Sequence, residues 1–315
     1  MPSTEKQAAY ILGTLLVAWG FVTTILLIAS SAAVSANEPM LFGFSQADIT
    51  PDATMRLSGY GSRETPYEGV DGPLRVRAMV IRTTDRQLHA LVSLDTIGLP
   101  GTLVNLMAKK LEKSHGITRE RFVVCFTHTH TAPHISGGLT NIFAKPLSQE
   151  ELKNARIYTE HVYQTVLSSI DKAISDLAVG TLKYSSGQVE FAQNRRVLQD
   201  GRWTGFGVNP DGPVDHSLPL LQVHGEDGKL RGVLFNYACH CTTLGGRHYR
   251  INAEWAGYAC DRVESAHAGA VALCTIGCGA DANPNPRESL DAAKLHGNTL
   301  ATEVNRLIAG PMRPI

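Results

Sequence analysis

Four apolar runs of strand length each end in a polar cluster, and this pattern restricts the fold more than any other feature of the chain. "LHALVSLD" ends at Asp95, "RFVVCF" runs into His128 and His130, "GVLFNYACH" ends at His240, and "AVALCTIGCGAD" ends at Asp281. Uninterrupted apolar runs with β-branched and aromatic residues predict buried strands, and polar residues gathered at strand ends predict a site on one rim of a sheet. Helical segments lie between the runs. "SQEELKNARIYTEHVYQTVLSSIDKAISDLA" opens with a capping box from Ser148 to Glu151 and repeats apolar residues at helical spacing, while "GTLVNLMAKKLEKSHG" stops at Gly116. "LPLLQVHGEDGKLRGVLFNYA" predicts an antiparallel hairpin that turns at Asp227-Gly228. Together these predict an α/β fold, a mixed sheet with helices packed around it and a metal site at the carboxyl ends of strands. The segment 194–217, with Trp203 and Phe206 among several glycines and prolines, reads as a long substrate-facing loop.

The N-terminus follows a different rule. Residues 8–34 carry no charge and lead into "AVSA" at 33–36, so residues 1–36 read either as a signal peptide cleaved after Ala36 or as an uncleaved membrane anchor. Both readings place residues 37–315 outside the cytoplasm, as a periplasmic, secreted or outward-facing anchored catalytic domain, with membrane association carried by the N-terminal segment. Lysine plus arginine equal aspartate plus glutamate at 29 each, which argues against nucleic acid as a partner. The six cysteines include Cys125, Cys239 and Cys274 in apolar runs, where cysteine serves as a small buried side chain, so export alone does not decide their disulfide state.

The chemistry concentrates in "THTHTAPH" at 127–134. If the strand persists through His128 and His130, both rings share a face and a metal ion; if the chain has already turned, one binds and the other hydrogen-bonds. His240 at a second strand end is the candidate long-range ligand, since a catalytic zinc draws its ligands from separate elements. His134, His216 and His248 lie in loops and are weaker candidates. In "GCGADANPNPR" the glycines let backbone N–H groups approach an oxyanion, and Asp281 is placed to orient a ligand histidine. Arg195 and Arg196 in "NRR" offer guanidinium to a carboxylate, a phosphate or a developing oxyanion.

These segments resemble the neutral/alkaline ceramidase family. The matching stretches, in order, are "ADITPDATMRLSGYGSR", "GVDGPLRVRAMVI", "VSLD", "THTHTAP", "NRR", "VLFNYACHCTTLGG" and "GCGADANPNP", from Ala47 to Pro286. The resemblance implies an exported Zn2+-dependent amide hydrolase of sphingolipid metabolism acting on the N-acyl bond of ceramide. It implies His128 and His240 as zinc ligands, His130 as a substrate-contacting histidine and Arg195 as the arginine of the family's Asn-Arg-Ser motif. A glutamate and a tyrosine that complete the family's zinc shell come from later segments. The family's catalytic serine falls at Asn283, whose amide donates hydrogen bonds but cannot act as a hydroxyl nucleophile. The expectation is therefore hydrolysis of an amide or ester of a small or lipid-like N-acyl substrate by metal-activated water, with His130, Arg195, Asp281 and Asn283 around it. The alternative is a non-catalytic or incomplete exported zinc- or ligand-binding module.

Overall fold

In the computed structural model, which describes residues 38–311 and 313–315, the apolar runs form strands as their sequences predict. The first half of the chain contributes β1 (Leu41–Asp48), β2 (Gly69–Val70), β3 (Arg75–Arg82), β4 (Leu88–Leu94), helix α1 (Gly101–His115), β5 (Phe122–Phe126) and helix α2 (Gln149–Ser175). Then come β6 (Ala178–Gln188), β7 (Ala192–Gln199), β8 (Arg202–Asn209), β9 (Ser217–Gly225), β10 (Leu230–Tyr237) and β11 (Arg250–Ile251). Helix α3 (Glu254–Ala266), β12 (Val271–Ile276), β13 (Ala282–Pro284), helix α4 (Leu290–Ala309) and β14 (Arg313–Pro314) complete the order. The expected signal or anchor at 1–36 lies outside the described residues. Among those described, no helix is long and apolar enough to cross a membrane.

The main sheet runs β12-β10-β9-β6-β1-β3-β4-β5, with β14 against β6. Most neighbours are antiparallel, but β4 and β5 run parallel, as do β10 and β12. Each parallel pair therefore brings two carboxyl ends to the same rim. The sheet also folds over itself, so that β12 at one end packs across β3, β4 and β5 at the other. Ser93 of β4 donates to the Cys274 carbonyl of β12 at 2.5 Å across this seam. The ends of all four apolar runs consequently meet.

The packing has three cores, and strand alternation assigns them. Val76, Ala78 and Val80 of β3 face α1 and α2, while Met79 of the same strand faces Phe42, Val223 and Leu273 between the two sheet halves. A third core lies between the second half of the sheet and α3 and α4. The result is a mixed α/β fold in which helices cover a doubled sheet on both sides. The helix signals in the sequence are realised: Ser148 Oγ accepts from Glu151 N at 3.1 Å, Glu151 Oε2 accepts from Ser148 N at 2.8 Å, and Gly116 closes α1 at φ 68°. β9 and β10 form the expected hairpin around Asp227-Gly228. The segment from 194 differs from the expectation. It is β7 and β8, an antiparallel hairpin joined to β13, in which Gly201 makes the turn at φ 73° while Gly205 and Gly207 sit within β8, where a Cβ on Gly207 would come 2.7 Å from Val197. All six cysteines are free thiols.

A buried cation ties α3 to the sheet. Arg77 on β3, 2% exposed, donates from Nε to Glu264 at 2.9 Å and from Nη2 to Asp261 at 2.9 Å, and its Nη1 lies 3.4 Å from Asp95. Burial pushes the Asp95 carboxyl up to about 6 even with this guanidinium beside it. Replacing Arg77 with methionine fills similar space but strands Asp95 and Glu264 in the interior. Arg77→Met is expected to lose about 3–5 kcal/mol of unfolding free energy. Urea titration measures this, and a loss below about 1 kcal/mol would show that the network is not holding the helix to the sheet.

Candidate metal centre

His128, His130 and His240 meet at the rim where the two parallel pairs converge, with one ring nitrogen from each lying within 4.8 Å of the others. Their ring centroids stand 4.9 Å (128–130), 5.1 Å (128–240) and 5.8 Å (130–240) apart. The chain after β5 has left the strand, and His128 takes the left-handed region at φ 57°. That conformation lets its backbone N–H donate to Thr96 O at 3.1 Å while its ring Nδ1 sits 2.7 Å from Ile97 O. A carbonyl can only accept, so Nδ1 carries the proton and Nε2 keeps its lone pair. His240 repeats the arrangement with Nδ1 2.7 Å from Gly279 O.

His130 differs from its two neighbours. Its backbone N–H donates to Cys241 O at 3.2 Å, but both ring nitrogens are buried without a hydrogen-bond partner. Burial first, then the two neighbouring imidazoles, press its pKa down to about 2, and burial followed by Arg195 lowers His240 to about 4. Two imidazoles with nitrogens freed by tautomer, together with a third wanting a partner, make a donor set that fits a borderline cation such as zinc.

Arg195, Asp281 and Asn283 stand beside this cluster on β7, the preceding turn and β13. Arg195 Nη1 donates to Asn283 Oδ1 at 3.3 Å, and Thr242 Oγ1 donates to the same oxygen at 3.0 Å. With its carbonyl so engaged, Asn283 presents its NH2 as a donor. Asp281 does not orient a histidine: its Oδ1 accepts from Arg196 Nε at 2.7 Å, its side chain is 58% exposed, and the Gly279 carbonyl takes the place expected for it on His240. The turn forces this exchange, because Gly279 packs so tightly that a Cβ there would lie 2.6 Å from Cys239 N, which brings its carbonyl up to the ring. His134, His216 and His248 lie outside the cluster, paired with Ser58 Oγ (3.3 Å), Val189 O (3.1 Å) and Asp71 (3.3 Å).

Sequence reasoning passed over the groups that fix the cluster from behind. Arg63, wholly buried, donates to the Ser58 carbonyl at 2.8 Å, to the His130 carbonyl at 2.5 Å and to the His248 carbonyl at 3.0 Å, and stacks on Tyr60. Burial lowers its pKa to about 10, which leaves it charged at neutrality. Gly59 runs at φ 101° with the His130 ring 2.5 Å from where a Cβ would stand, so only glycine fits there. Glu254, at φ 61° and fully buried, accepts from Leu244 N at 2.6 Å, and Trp255 Nε1 donates to His240 O at 2.9 Å. "GYGSR" and "AEWAG" carry these residues, and a charged residue within three positions of a glycine and an aromatic in each was the signal available.

Burial pushes Glu254 from 4.5 to about 7. Its folded pKa lies above the unfolded one, so its contribution to stability is fully present below about 4.5 and is lost as pH rises through 7. Glu254→Gln stays neutral throughout. The stability of wild type relative to this variant is expected to fall by roughly 3 kcal/mol between about pH 4.5 and pH 8, read by urea unfolding across that range. Parallel curves for the two proteins would contradict it.

Comparison with known proteins places this geometry. The family model of neutral/alkaline non-lysosomal ceramidase, N-terminal, matches residues 40–283. The chain is 27% identical over 246 residues to the neutral ceramidase of Pseudomonas aeruginosa, covering 76% of this chain and 35% of that protein. It is 24% identical over 226 residues to the neutral ceramidase of Mycobacterium tuberculosis, covering 68% and 34%. The chain thus spans about a third of the length of these curated relatives. The crystal structure of the Pseudomonas aeruginosa neutral ceramidase superposes with a TM-score of 0.71 at 21% identity, over 86% of this chain and 45% of that one. A ceramidase complexed with C2 superposes equally well, over 86% and 44%. These superpositions establish a shared fold.

Proposed function

The chain belongs to the neutral/alkaline non-lysosomal ceramidase family, and we propose that residues 37–315 act as a zinc-dependent hydrolase of N-acyl compounds. The observation that carries this reading is the convergence of His128, His130 and His240 with the Nδ1 of two of them already committed to backbone carbonyls. His128 and His240 would hold the metal through Nε2. When bound, zinc supplies Lewis acidity, polarising a carbonyl and bringing a water's pKa toward neutrality. His130, with a lone pair and no partner, would orient the attacking water by accepting a hydrogen bond from it. Arg195 and the Asn283 amide, joined at Oδ1, would supply the donors that stabilise the oxyanion. The family supports this substrate class: the relatives are neutral ceramidases, and one structure is a ceramidase complexed with C2. The uncharged run at 8–34 supports action outside the cytoplasm.

Metal analysis of the purified protein tests the centre. About one zinc per chain is expected for wild type, with His128→Ala and His240→Ala each substoichiometric under the same conditions. Turnover of N-acyl amino acids or N-acyl sphingolipids should disappear with a chelator and return with zinc. Absence of zinc from wild type, or full zinc in both variants, ends the proposal; bound zinc with no turnover of any amide or ester leaves the binding module as the function.

Asn283 limits the substrate range. An amide at this position donates a hydrogen bond but offers no hydroxyl to act on a carbonyl, so wild type is expected to cleave ceramide poorly relative to simpler N-acyl compounds. Robust zinc-dependent ceramide turnover by the unmodified protein would show that no hydroxyl is needed there.

A further inference from the structure

Three arginines, Arg63, Arg195 and Arg287, stand around the histidine cluster, and among the described residues none of them is ion-paired with a carboxylate. Each is held by uncharged groups instead. Arg63 donates to backbone carbonyls and Arg195 to Asn283 Oδ1, while Arg287 donates from Nε to the Thr242 carbonyl at 2.7 Å and from Nη2 to Tyr60 Oη at 3.4 Å. The nearby acids are committed elsewhere. Asp281 accepts from Arg196 at 2.7 Å, Glu288 turns its carboxylate to Gly245 and lies 4.0 Å from Arg247, and Glu254 is fully buried with Leu244 N on its Oε1. The positive charge of this rim is therefore not cancelled from within. Burial, and after it the like charge of Arg196, hold the Arg195 guanidinium below its ordinary range, and Arg287 adds to the repulsion.

Of the three, Arg287 is the one with donors to spare at an accessible position. Arg63 is wholly buried, and Arg195 already serves the oxyanion beside Asn283. Arg287 is half-buried, and its bonds to Thr242 and Tyr60 fix the plane of the guanidinium while Nη1 keeps both of its hydrogens without an acceptor among the described residues. Both anchors belong to the rim: Thr242 Oγ1 donates to Asn283 Oδ1 at 3.0 Å, and the Tyr60 ring meets the His130 ring edge-on at 5.1 Å. A guanidinium preset in this way, with one edge held and the other open, matches a carboxylate in a paired hydrogen bond. We propose that Arg287 binds a carboxylate on the amine half of the substrate, so that N-acyl amino acids, rather than the uncharged N-acyl amino alcohol of ceramide, are the compounds this centre prefers. Water's oxygen bonds to the acyl carbon, the C–N bond breaks and the nitrogen takes up a proton, giving a carboxylic acid and a free amino acid. The reaction rests on the proposed function; the binding of the carboxylate does not.

N-hexanoylglycine and its primary amide, which match in size and differ in charge, provide the test. The zinc-supplied wild type is expected to favour the acid over the amide in kcat/KM by about ten- to a hundredfold, the range of charge-assisted hydrogen bonds, and Arg287→Gln and Arg287→Met are each expected to lower that ratio by about tenfold or more. Disturbance of the rim through the lost Thr242 and Tyr60 contacts slows both compounds alike, so the ratio reads the charge, and either variant suffices where the other fails to fold. A wild type indifferent to the charge, or a preference for the acid that survives in a folded variant and so belongs to the metal or to Arg195, overturns the carboxylate site. If neither compound turns over, calorimetric titration with the same pair reads binding alone. A preference for the acid that is lost with Arg287 then keeps the site and removes the hydrolase, and binding indifferent to the charge removes both. Turnover of acid and amide with equal kcat/KM keeps the hydrolase and removes the site.

Discussion

The guanidinium of Arg63 is the point on which the rim depends. Three segments must meet there: the turn at 58–63, the histidine segment at 127–134 and the loop at 240–249. None of these is regular enough to satisfy its own backbone. Buried carbonyls without donors cost free energy comparable to a lost hydrogen bond. Arg63 gives one carbonyl from each segment a charged donor, at Ser58, His130 and His248, and its planar fork reaches all of them from one position. A lysine has a point charge and could not span these carbonyls at once. Fixing the His130 carbonyl also fixes its ring, and Gly59 beneath that ring leaves it no slack.

The chain keeps three imidazoles close together under cover by settling their protons in advance. Charged imidazoles packed at these distances would repel in a site with little water. Backbone carbonyls from Ile97 and Gly279 choose the Nδ1 tautomer for two of the rings, and burial keeps His130 and His240 neutral. The left-handed backbone at His128 is part of this arrangement, because it is what brings Nδ1 to Ile97 O; such a conformation persists when its surroundings over-determine it. Those surroundings are the parallel pair β4 and β5 and the seam to β12.

Local patterns in the sequence were enough for the elements and not for their juxtaposition. Apolar runs, the capping box at Ser148, the αL stop at Gly116 and the Asp227-Gly228 turn each act within a few residues, and each is present. Folding of the sheet over itself depends on contacts between β12 and strands nearly 200 residues earlier, such as Ser93 to Cys274, separated by 181 positions, and a single chain offers no local trace of them. The site divides along the same line. Histidines at strand ends were legible because imidazole is scarce and its chemistry specific. The acceptor for His240 was not, since a carbonyl belongs to every residue, and the visible acid, Asp281, drew the assignment that the Gly279 carbonyl holds. Glycines in 201–207 read as breaks because turns and tightly paired strands both select them.

Asn283 ties the rim together and also offers it a donor. Its oxygen is held between Arg195 and Thr242, so the side chain acts first as a link joining β13 to β7 and to the His240 loop. A serine in this place has one oxygen to serve both donors and to approach a carbonyl, whereas the amide separates the tasks, accepting with oxygen and donating with nitrogen. The cost is loss of a hydroxyl; the gain is a donor fixed by two neighbours and ready for negative charge. Under the proposed function, such a centre would rely on water as nucleophile and on preorganised donors to stabilise the oxyanion.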